Sequence, residues 1–268
     1  MTVVVRRPGP PLDGLVRAIT YQAGEQPRTS VEKILPGPGA SVWINMNRDE
    51  FRSFDEFGLV VRVPGAMLAG PTSRAAVIEF EQGRAHISVT FALGAAGCFA
   101  ELPLDVTRDL QVPLGDVWGR PGAALRERVL EAVTPHDALD AVEGVLLGAL
   151  SGLRDPLVVA ACEALSSGTA VGKVAADLGV LPRTLRRRFT ARVGLGPKRF
   201  ARVQRLQRVV RDLDGRFSVD WAGVAARHGY ADQSHLVAEF GQLAGVTPTE
   251  YLRSRIDGPN HLSVVPTA

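Results

Sequence analysis

Two stretches toward the C-terminus of this 268-residue chain read as one unit written twice. The first is Ala170-Val-Gly-Lys-Val-Ala-Ala-Asp-Leu-Gly179, followed by Pro182-Arg-Thr-Leu-Arg-Arg-Arg-Phe189. The second is Val219-Asp-Trp-Ala-Gly-Val-Ala-Ala-Arg-His-Gly229, followed by Asp232-Gln-Ser-His-Leu-Val-Ala-Glu-Phe240. Each has a short amphipathic helix, a glycine turn and a second helix that ends on an inward Phe. A helix must bury its apolar stripe against another element, so each pair is expected to close on itself at the turn. This is the shape of a helix-turn-helix, whose second helix can enter a DNA major groove.

The charge supports that direction. Residues 166–255 hold 16 Lys/Arg and 7 Asp/Glu, a balance of +9, whereas the rest of the chain is at −6. A basic part beside an acidic one is expected where only one of them meets phosphate. Cys98 and Cys162 stand far apart and form neither a disulfide framework nor a zinc pattern. No apolar run approaches membrane-spanning length, and Met1-Thr-Val-Val-Val-Arg-Arg7 is too short for a secretory core. The expectation is a cytoplasmic protein without a membrane partner.

The first 115 residues read as strands between Gly/Pro turns. The candidates are Ser41–Asn45, Gly58–Val63, Ala75–Phe80 and Ala85–Phe91, the last with Ile87, Val89 and Phe91 alternating with Ser88 and Thr90. Helices are expected over Gly122–Val133 and Pro135–Leu150, the second capped by Thr134. Gly152-Leu-Arg-Asp-Pro156 reads as a linker, with Asp155 capping a helix whose inward face is Leu157, Ala160, Ala161 and Leu165. The fold class is therefore α+β. A small barrel or sandwich with two following helices (1–151, helical from about 122) leads into an all-α part (155–256), and 257–268 forms a flexible tail.

In the basic part, Val174, Ala175 and Leu178 face Leu185, Phe189 and Val193, which leaves Arg183, Arg186 and Arg187 on the outer side. Arginine forks onto guanine or phosphate. A long helix follows on Phe200, Val203, Leu206, Val210 and Leu213, with a stripe of Arg199, Arg202, Arg205 and Arg208 expected partly near the DNA backbone. In the second unit Ser218 and Asp232 are expected to cap the two helices, and Leu236, Phe240 and Leu243 face inward. Gln233, Ser234 and His235 then lie outward, where Gln can pair with adenine and Ser or His with bases or phosphates. Thr247-Pro-Thr-Glu250 is a capping box that opens a last helix carrying Tyr251.

Residues 156–255 resemble the DNA-binding domain of the AraC/XylS family of bacterial transcription regulators. The resemblance is carried by Leu185-Arg-Arg-Arg-Phe189, Gly194-Leu-Gly-Pro-Lys-Arg-Phe200, Gly229-Tyr-Ala-Asp-Gln-Ser-His-Leu236 and Gly245-Val-Thr-Pro248. It implies two helix-turn-helix subdomains joined by one long helix, their recognition helices in successive major grooves about 34 Å apart. By position, Arg183, Arg186 and Arg187 match contacting places of the first unit, and Gln233, Ser234 and Ala238 those of the second. The sequence departs from the family at Leu181, where a capping Ser is usual, and at Ala238 and Gly241, where basic residues are usual. Glu239 between them is expected to face phosphate unfavourably or lie to one side, so that Glu239→Lys strengthens binding if it faces phosphate. The first unit is thus expected to supply most of the affinity.

The run from Val42 to Trp118 resembles, more weakly, the cupin-like sensor domains of AraC relatives, through Ser88-Val-Thr-Phe-Ala-Leu-Gly94 and Leu110-Gln-Val-Pro-Leu-Gly-Asp-Val-Trp118. Such domains bind a small effector or dimerise. Trp43 and His86 are the candidates for an effector pocket. Metal-dependent cupins converge several His and carboxylate ligands, and this region offers His86 on a strand and His136 in a helix, so no metal is expected. Cys98, with nothing basic beside it in sequence, reads as a buried structural thiol. The expected function is a sequence-specific regulator of transcription, not an enzyme, with no cofactor and no catalytic residue. Its expected partner is double-stranded DNA; a small effector, RNA polymerase and a second copy of the chain fit the same reading. The alternative is a cupin-type enzyme, metal-dependent or not, with a helical appendage.

Overall fold

The computed structural model describes residues 1–24, 31–55, 57–79, 85–100, 102–216, 219–256 and 260–264. Strands come first: β1 (Thr2–Arg6), β2 (Val16–Ala23), β3 (Val31–Ile34), β4 (Ser41–Asn45), β5 (Glu50–Phe54), β6 (Val60–Pro64), β7 (Ala66–Ala69), β8 (Ala76–Glu79), β9 (Ala85–Phe91) and β10 (Gln111–Pro113). Helices follow: α1 (Leu114–Ala123), α2 (Leu125–Leu130), α3 (Pro135–Ala149), α4 (Pro156–Ser166), α5 (Val171–Asp177), α6 (Pro182–Val193), α7 (Pro197–Asp212), α8 (Trp221–Arg227), α9 (Gln233–Ala244) and α10 (Pro248–Ser254). A last strand, β11 (His261–Ser263), closes the order. Among the described residues the strands form two antiparallel sheets, ordered β1-β2-β9-β4-β7-β10 and β11-β3-β8-β5-β6. The α+β order of strands, helices and a helical C-terminal part is the one expected from the sequence.

Alternation decides which face of the first sheet is covered. Val42 and Ile44 of β4 and Ile87 and Val89 of β9 are fully buried, while Trp43 and Ser88 between them are half-buried. The buried face packs against Leu125 and Val129 of α2 and Leu139, Val142 and Leu146 of α3. Those helices thus bury their apolar stripes on their own sheet; Leu130 and Leu147 remain 45% exposed. Thr134 caps α3 in a capping box with Asp137, and Pro135 fills its first position.

Several expectations shift. The helical stretch begins at Leu114 rather than near 122, and it is broken at Gly119 (φ 61°, ψ −143°), so α1 is kinked and α2 is short. The inward face of α4 is Val158, Ala161, Cys162 and Leu165, because its phase is set by the Asp155 cap; Leu157 and Ala160 are half-buried. Part of the stretch expected to be a flexible tail is β11, antiparallel to β3 with Leu262 opposite Lys33. The expected cap Ser218, the end of the strand at Phe80, and 257–259 and 265–268 of the tail lie outside the described residues. Cys98 and Cys162 are free and buried. Burial pushes both thiols up, Cys162 to about 12, even though Arg192 and Arg154 draw the Cys98 thiol back down.

A second apolar cluster fills the helical part and takes in Leu35, just past β3, and Leu262 of β11. The contact between the two parts is close. Gly194 ends α6 with φ +83°, and a Cβ there would lie 2.8 Å from the Leu104 carbonyl oxygen and overlap the Pro71 ring. Gly144 in α3 has nothing within 4 Å of such an atom. Gly194→Ala is therefore expected to destabilise the fold by about 2 kcal/mol or more, through both the left-handed backbone and the clash. Gly144→Ala should stabilise it by about 0.5–1 kcal/mol, because only helix propensity changes. Urea unfolding of the two variants checks both signs.

Candidate nucleic-acid interface

The first helix-turn-helix is α5 and α6. Val174 and Ala175 meet Leu185, Phe189 and Val193, all buried, and Gly179 (φ +63°) carries the chain through the turn. Phe189 packs edge-on against Phe200 of α7, with ring centroids 5.1 Å apart. The opposite side of α6 carries Arg183, Arg186 and Arg187, all exposed and without hydrogen bond or ion pair to another described residue. Leu181 stands at the N-cap with no side-chain oxygen, so the first N–H groups of α6 have no side-chain cap. Arg188 differs from its neighbours: its Nε and Nη2 donate to the Asp155 carboxylate at 2.9 and 2.7 Å, pinning α6 to the start of α4.

The second unit is α8 and α9. Val224 and Ala225 meet Leu236, Phe240 and Leu243, and Gly229 (φ +73°) makes the turn. Asp220 caps α8 by accepting from the Gly223 N–H, and Asp232 caps α9 by accepting from the His235 N–H at 2.7 Å. Gln233, Ser234, His235 and Ala238 are exposed. His235 is held in place: its ring lies edge-on to Tyr230 at 5.3 Å, and its Nδ1 accepts from the Ala231 N–H at 3.3 Å.

Of the two placements expected for Glu239, facing phosphate or lying to one side, the structure gives the second: the side chain is turned inward and buried at 6% exposure between α9 and α7. One oxygen accepts from Arg202 Nε at 2.9 Å, and the other from Arg205 at 2.7 Å. Arg205 also donates to the Gly229 carbonyl, and its guanidinium lies 4.4 Å from the Tyr230 ring centre. Arg202 also reaches Gln242 at 2.8 Å. The other two arginines of the stripe are engaged too: Arg208 donates to the Ser166 carbonyl of α4, and Arg199 to Ser73 at 3.4 Å. The stripe on α7 thus clamps that helix to its neighbours. The periodicity of α9 held the clue, since Leu236, Glu239, Phe240 and Leu243 follow one inward stripe. The partners on α7 are more than thirty residues away in sequence, and only the fold reveals them.

Two more carboxylates brace this region: Asp155, whose capping role is legible in the sequence but whose pairing with Arg188 is not, and Asp212, which the sequence reading did not single out. Asp155 receives Arg188 and the Leu157 N–H, and Asp212 gathers Arg216, Arg227 and His228 at 2.8–3.2 Å, joining the end of α7 to α8. Burial alone would push both carboxyls up. The hydrogen bonds from Arg188 to Asp155, and from Arg227 and His228 to Asp212, outweigh it and hold both below the ordinary carboxylate value.

In the other part of the chain, Trp43 and His86 come together on neighbouring strands of the first sheet. Their ring centroids are 5.2 Å apart and both are half-buried; Trp43 Nε1 donates to Ser41 Oγ at 2.9 Å. Among the described residues no group of three or more His, Cys, Asp or Glu side chains is placed to hold a metal ion. No described helix is long and apolar enough to cross a membrane.

Comparison with known proteins gives two family matches. A model described as a helix-turn-helix domain covers residues 174–254, and one described as a domain of unknown function (DUF6597) covers residues 5–113. The chain is 32% identical over 118 residues to an AraC-like transcription regulator of Streptomyces antibioticus. It is 34% identical over 109 residues to another from Streptomyces lividans. These alignments cover 42% and 39% of this chain, and the chain spans only 38% and 35% of the length of those relatives. Among solved structures, ToxT from Vibrio cholerae is similar at 13% identity and a TM-score of 0.46, over 88% of this chain and 98% of that one. A form of ToxT bound to an unsaturated fatty acid is similar at 10% identity and a TM-score of 0.46, over 87% and 94%.

Two outcomes test this geometry. Glu239→Gln should destabilise the chain by about 2–4 kcal/mol, and Glu239→Lys by more, since each leaves Arg202 and Arg205 facing no anion. A wild-type unfolding midpoint for Glu239→Lys would contradict the clamp. For Asp155 the folded carboxyl titrates below its unfolded value of about 3.9, so its contribution is complete above that pH and fades as pH falls through the folded value. Asp155→Asn keeps a competent helix cap and removes the charge. Thermal melts from about pH 3 to 7 should therefore show a flatter acid limb for Asp155→Asn than for the wild type.

Proposed function

We propose that this chain, a member of the AraC/XylS family of transcription regulators by its helix-turn-helix part, binds double-stranded DNA sequence-specifically and adjusts transcription in response to a small molecule. The observation that carries the reading is α6: one face is buried to the last carbon, and the other presents three exposed arginines with no partner among the described residues. Solvent-facing guanidinium groups on the second helix of a helix-turn-helix are placed to fork onto base edges or phosphates. The uncapped N–H groups of its first turn favour a phosphate in addition.

On this reading Arg183, Arg186 and Arg187 contact the operator most strongly. Gln233, Ser234 and His235 contact it less, because α9 presents no cation of its own and its one acid is turned inward. Residues 155–256 form the DNA-binding part and 1–151 the sensing part, in which the Trp43–His86 pair is one place for an effector. RNA polymerase and a second copy of the chain are the further partners of this reading. No catalytic residue, metal or cofactor is assigned.

A genome-wide map of bound DNA, followed by anisotropy titrations of the recovered sites, tests it. Specific sites should be bound about a thousandfold or more tighter than random duplex. Equal affinity for any duplex would sink the regulator reading. Arg186→Ala or Arg187→Ala should weaken specific binding by about 1–3 kcal/mol if either forks to a base. Unchanged affinity in both variants removes α6 from the contact set.

A further inference from the structure

Among the described residues, exposed large apolar side chains gather most densely at the hairpin of β5 and β6. Phe57 is 82% exposed, Leu59 65%, Val60 48% and Val61 42%. A single exposed Val is ordinary, but a contiguous apolar patch marks a surface that meets a partner. β6 is also the outer strand of its sheet: β5 pairs with one side, and no described strand pairs with the other. An open strand edge is a template for a further strand.

The hairpin shows which groups of that edge are open. In an antiparallel ladder hydrogen-bonded and non-bonded pairs alternate. The Asp55 N–H donates to the Leu59 carbonyl at 3.0 Å, so Ser53–Val61 and Phe51–Val63 are bonded pairs, whereas Phe54–Val60 and Arg52–Arg62 are not. The N–H and C=O groups of Val60 and Arg62 therefore point away from β5. Pro64 has no N–H and ends the open stretch. Val60 stands on one face of the sheet, and Leu59 and Val61 on the other, so an added strand meets apolar side chains on both faces. The outer strand of the first sheet, β1, is a poorer edge. It exposes Val3 and Val5 on one face, while on the other Val4 packs against the core and Arg6 is bonded to Asp140 and Glu143.

We propose that β6 is a homodimer interface, pairing antiparallel with β6 of a second copy across a two-fold axis at Val61. Self-complementarity selects both the partner and the register. An axis at Val61 sets Val60 opposite Arg62 of the other copy, so the open backbone groups of each strand bond to those of its mate on both sides of the axis. An axis at Arg62 would bring two guanidinium groups together and set Val60 against Pro64. An axis at Val60 would set Arg62 against Gly58, whose N–H is already donated to the Asp55 carbonyl. With the axis at Val61 the two Val61 side chains meet, and Leu59 of each copy lies opposite Val63 of the other, an apolar ladder along one face. The same patch meets itself, so the contact closes at two copies. The inference takes its partner, the second copy, from the reading above and takes nothing from DNA binding.

Sedimentation equilibrium on the full DNA-free chain, from about 1 to 200 µM, tests it. The wild type should form a reversible dimer with a micromolar dissociation constant, as suits a small interface. Val61→Lys and Val61→Glu each place like charges directly opposite across the axis, and each should weaken the dimer about tenfold or more. An equimolar mixture of the two should restore association to within about threefold of the wild type, because opposite charges then face each other. Arg62→Pro removes an outward N–H and no bond to β5, and should weaken the dimer about tenfold as well. Each variant changes an exposed position, so each should melt close to the wild type. Val5→Lys on β1 should leave the dimer intact. A chain that is monomeric throughout, a dimer that the Val61 variants leave unchanged, a mixture that stays dissociated, or a dimer lost in Val5→Lys overturns the interface. A monomer that still binds mapped sites specifically removes the interface and keeps the DNA reading; a dimer as described without specific DNA binding does the opposite.

Discussion

A single buried carboxylate sets the two helix-turn-helix units relative to each other. Glu239 belongs to α9, yet its two oxygens are shared between Arg202 and Arg205 of the helix that links the units. Ion pairs of this sort contribute little net stability once desolvation is counted, but they are strongly directional, and breaking one leaves a charge stranded. Here the direction matters. Arg205 simultaneously touches the turn of the second unit at Gly229 and covers the ring of Tyr230. A shift of α9 along α7 would break several contacts together, so the spacing of the two outer faces is held by the chain itself.

The same economy of anchors joins the two parts of the chain. Arg192 at the end of α6 reaches Gly97, and Gly194 just beyond it fits against Pro71 and Leu104 only because it lacks a side chain. Arg154 of the connecting segment donates to Gly14 and Leu93, and Gln207 of α7 to the Pro36 carbonyl. The segment Gly152–Pro156 is composed like a flexible spacer, but its hydrogen bonds make it a bracket.

Local rules carried much of the fold. The helices of the basic part, their caps at Asp155, Asp232 and Thr247, and the inward sets Leu185–Phe189–Val193 and Leu236–Phe240–Leu243 follow from 3.6-residue periodicity and capping chemistry. The strand at 85–91 is legible from its alternation. Strands β1, β2, β3, β5 and β7 were not, since they are short or lack clean alternation and depend on their neighbours for definition. The helix at α1 was hidden by Gly119 and Pro121, two residues that disfavour a helix interior and here kink the run. The outward arginines of α6 could be read from phase alone. The roles of Arg188, Arg202 and Arg205 could not, because each depends on an acid from another element, and helical reach along one's own helix says nothing about that. The open edge of β6 was equally out of reach: Gly58–Val63 reads as a strand, but the pairing order alone puts it at the margin of its sheet.

The short strand β11 gives the chain an unexpected closure. After the last helix it returns to pair with β3, and it buries Leu262 in the same cluster as Leu35. The helical part is therefore held at both of its ends, by the bracket at 152–156 and by this returning strand. A body tethered twice does not swing like a pendant on one hinge; it can only slide or twist by small amounts against its support. Severing the backbone at the bracket would accordingly leave the two pieces still zipped together, and a free helical fragment would come loose only with an oily seam laid open to water.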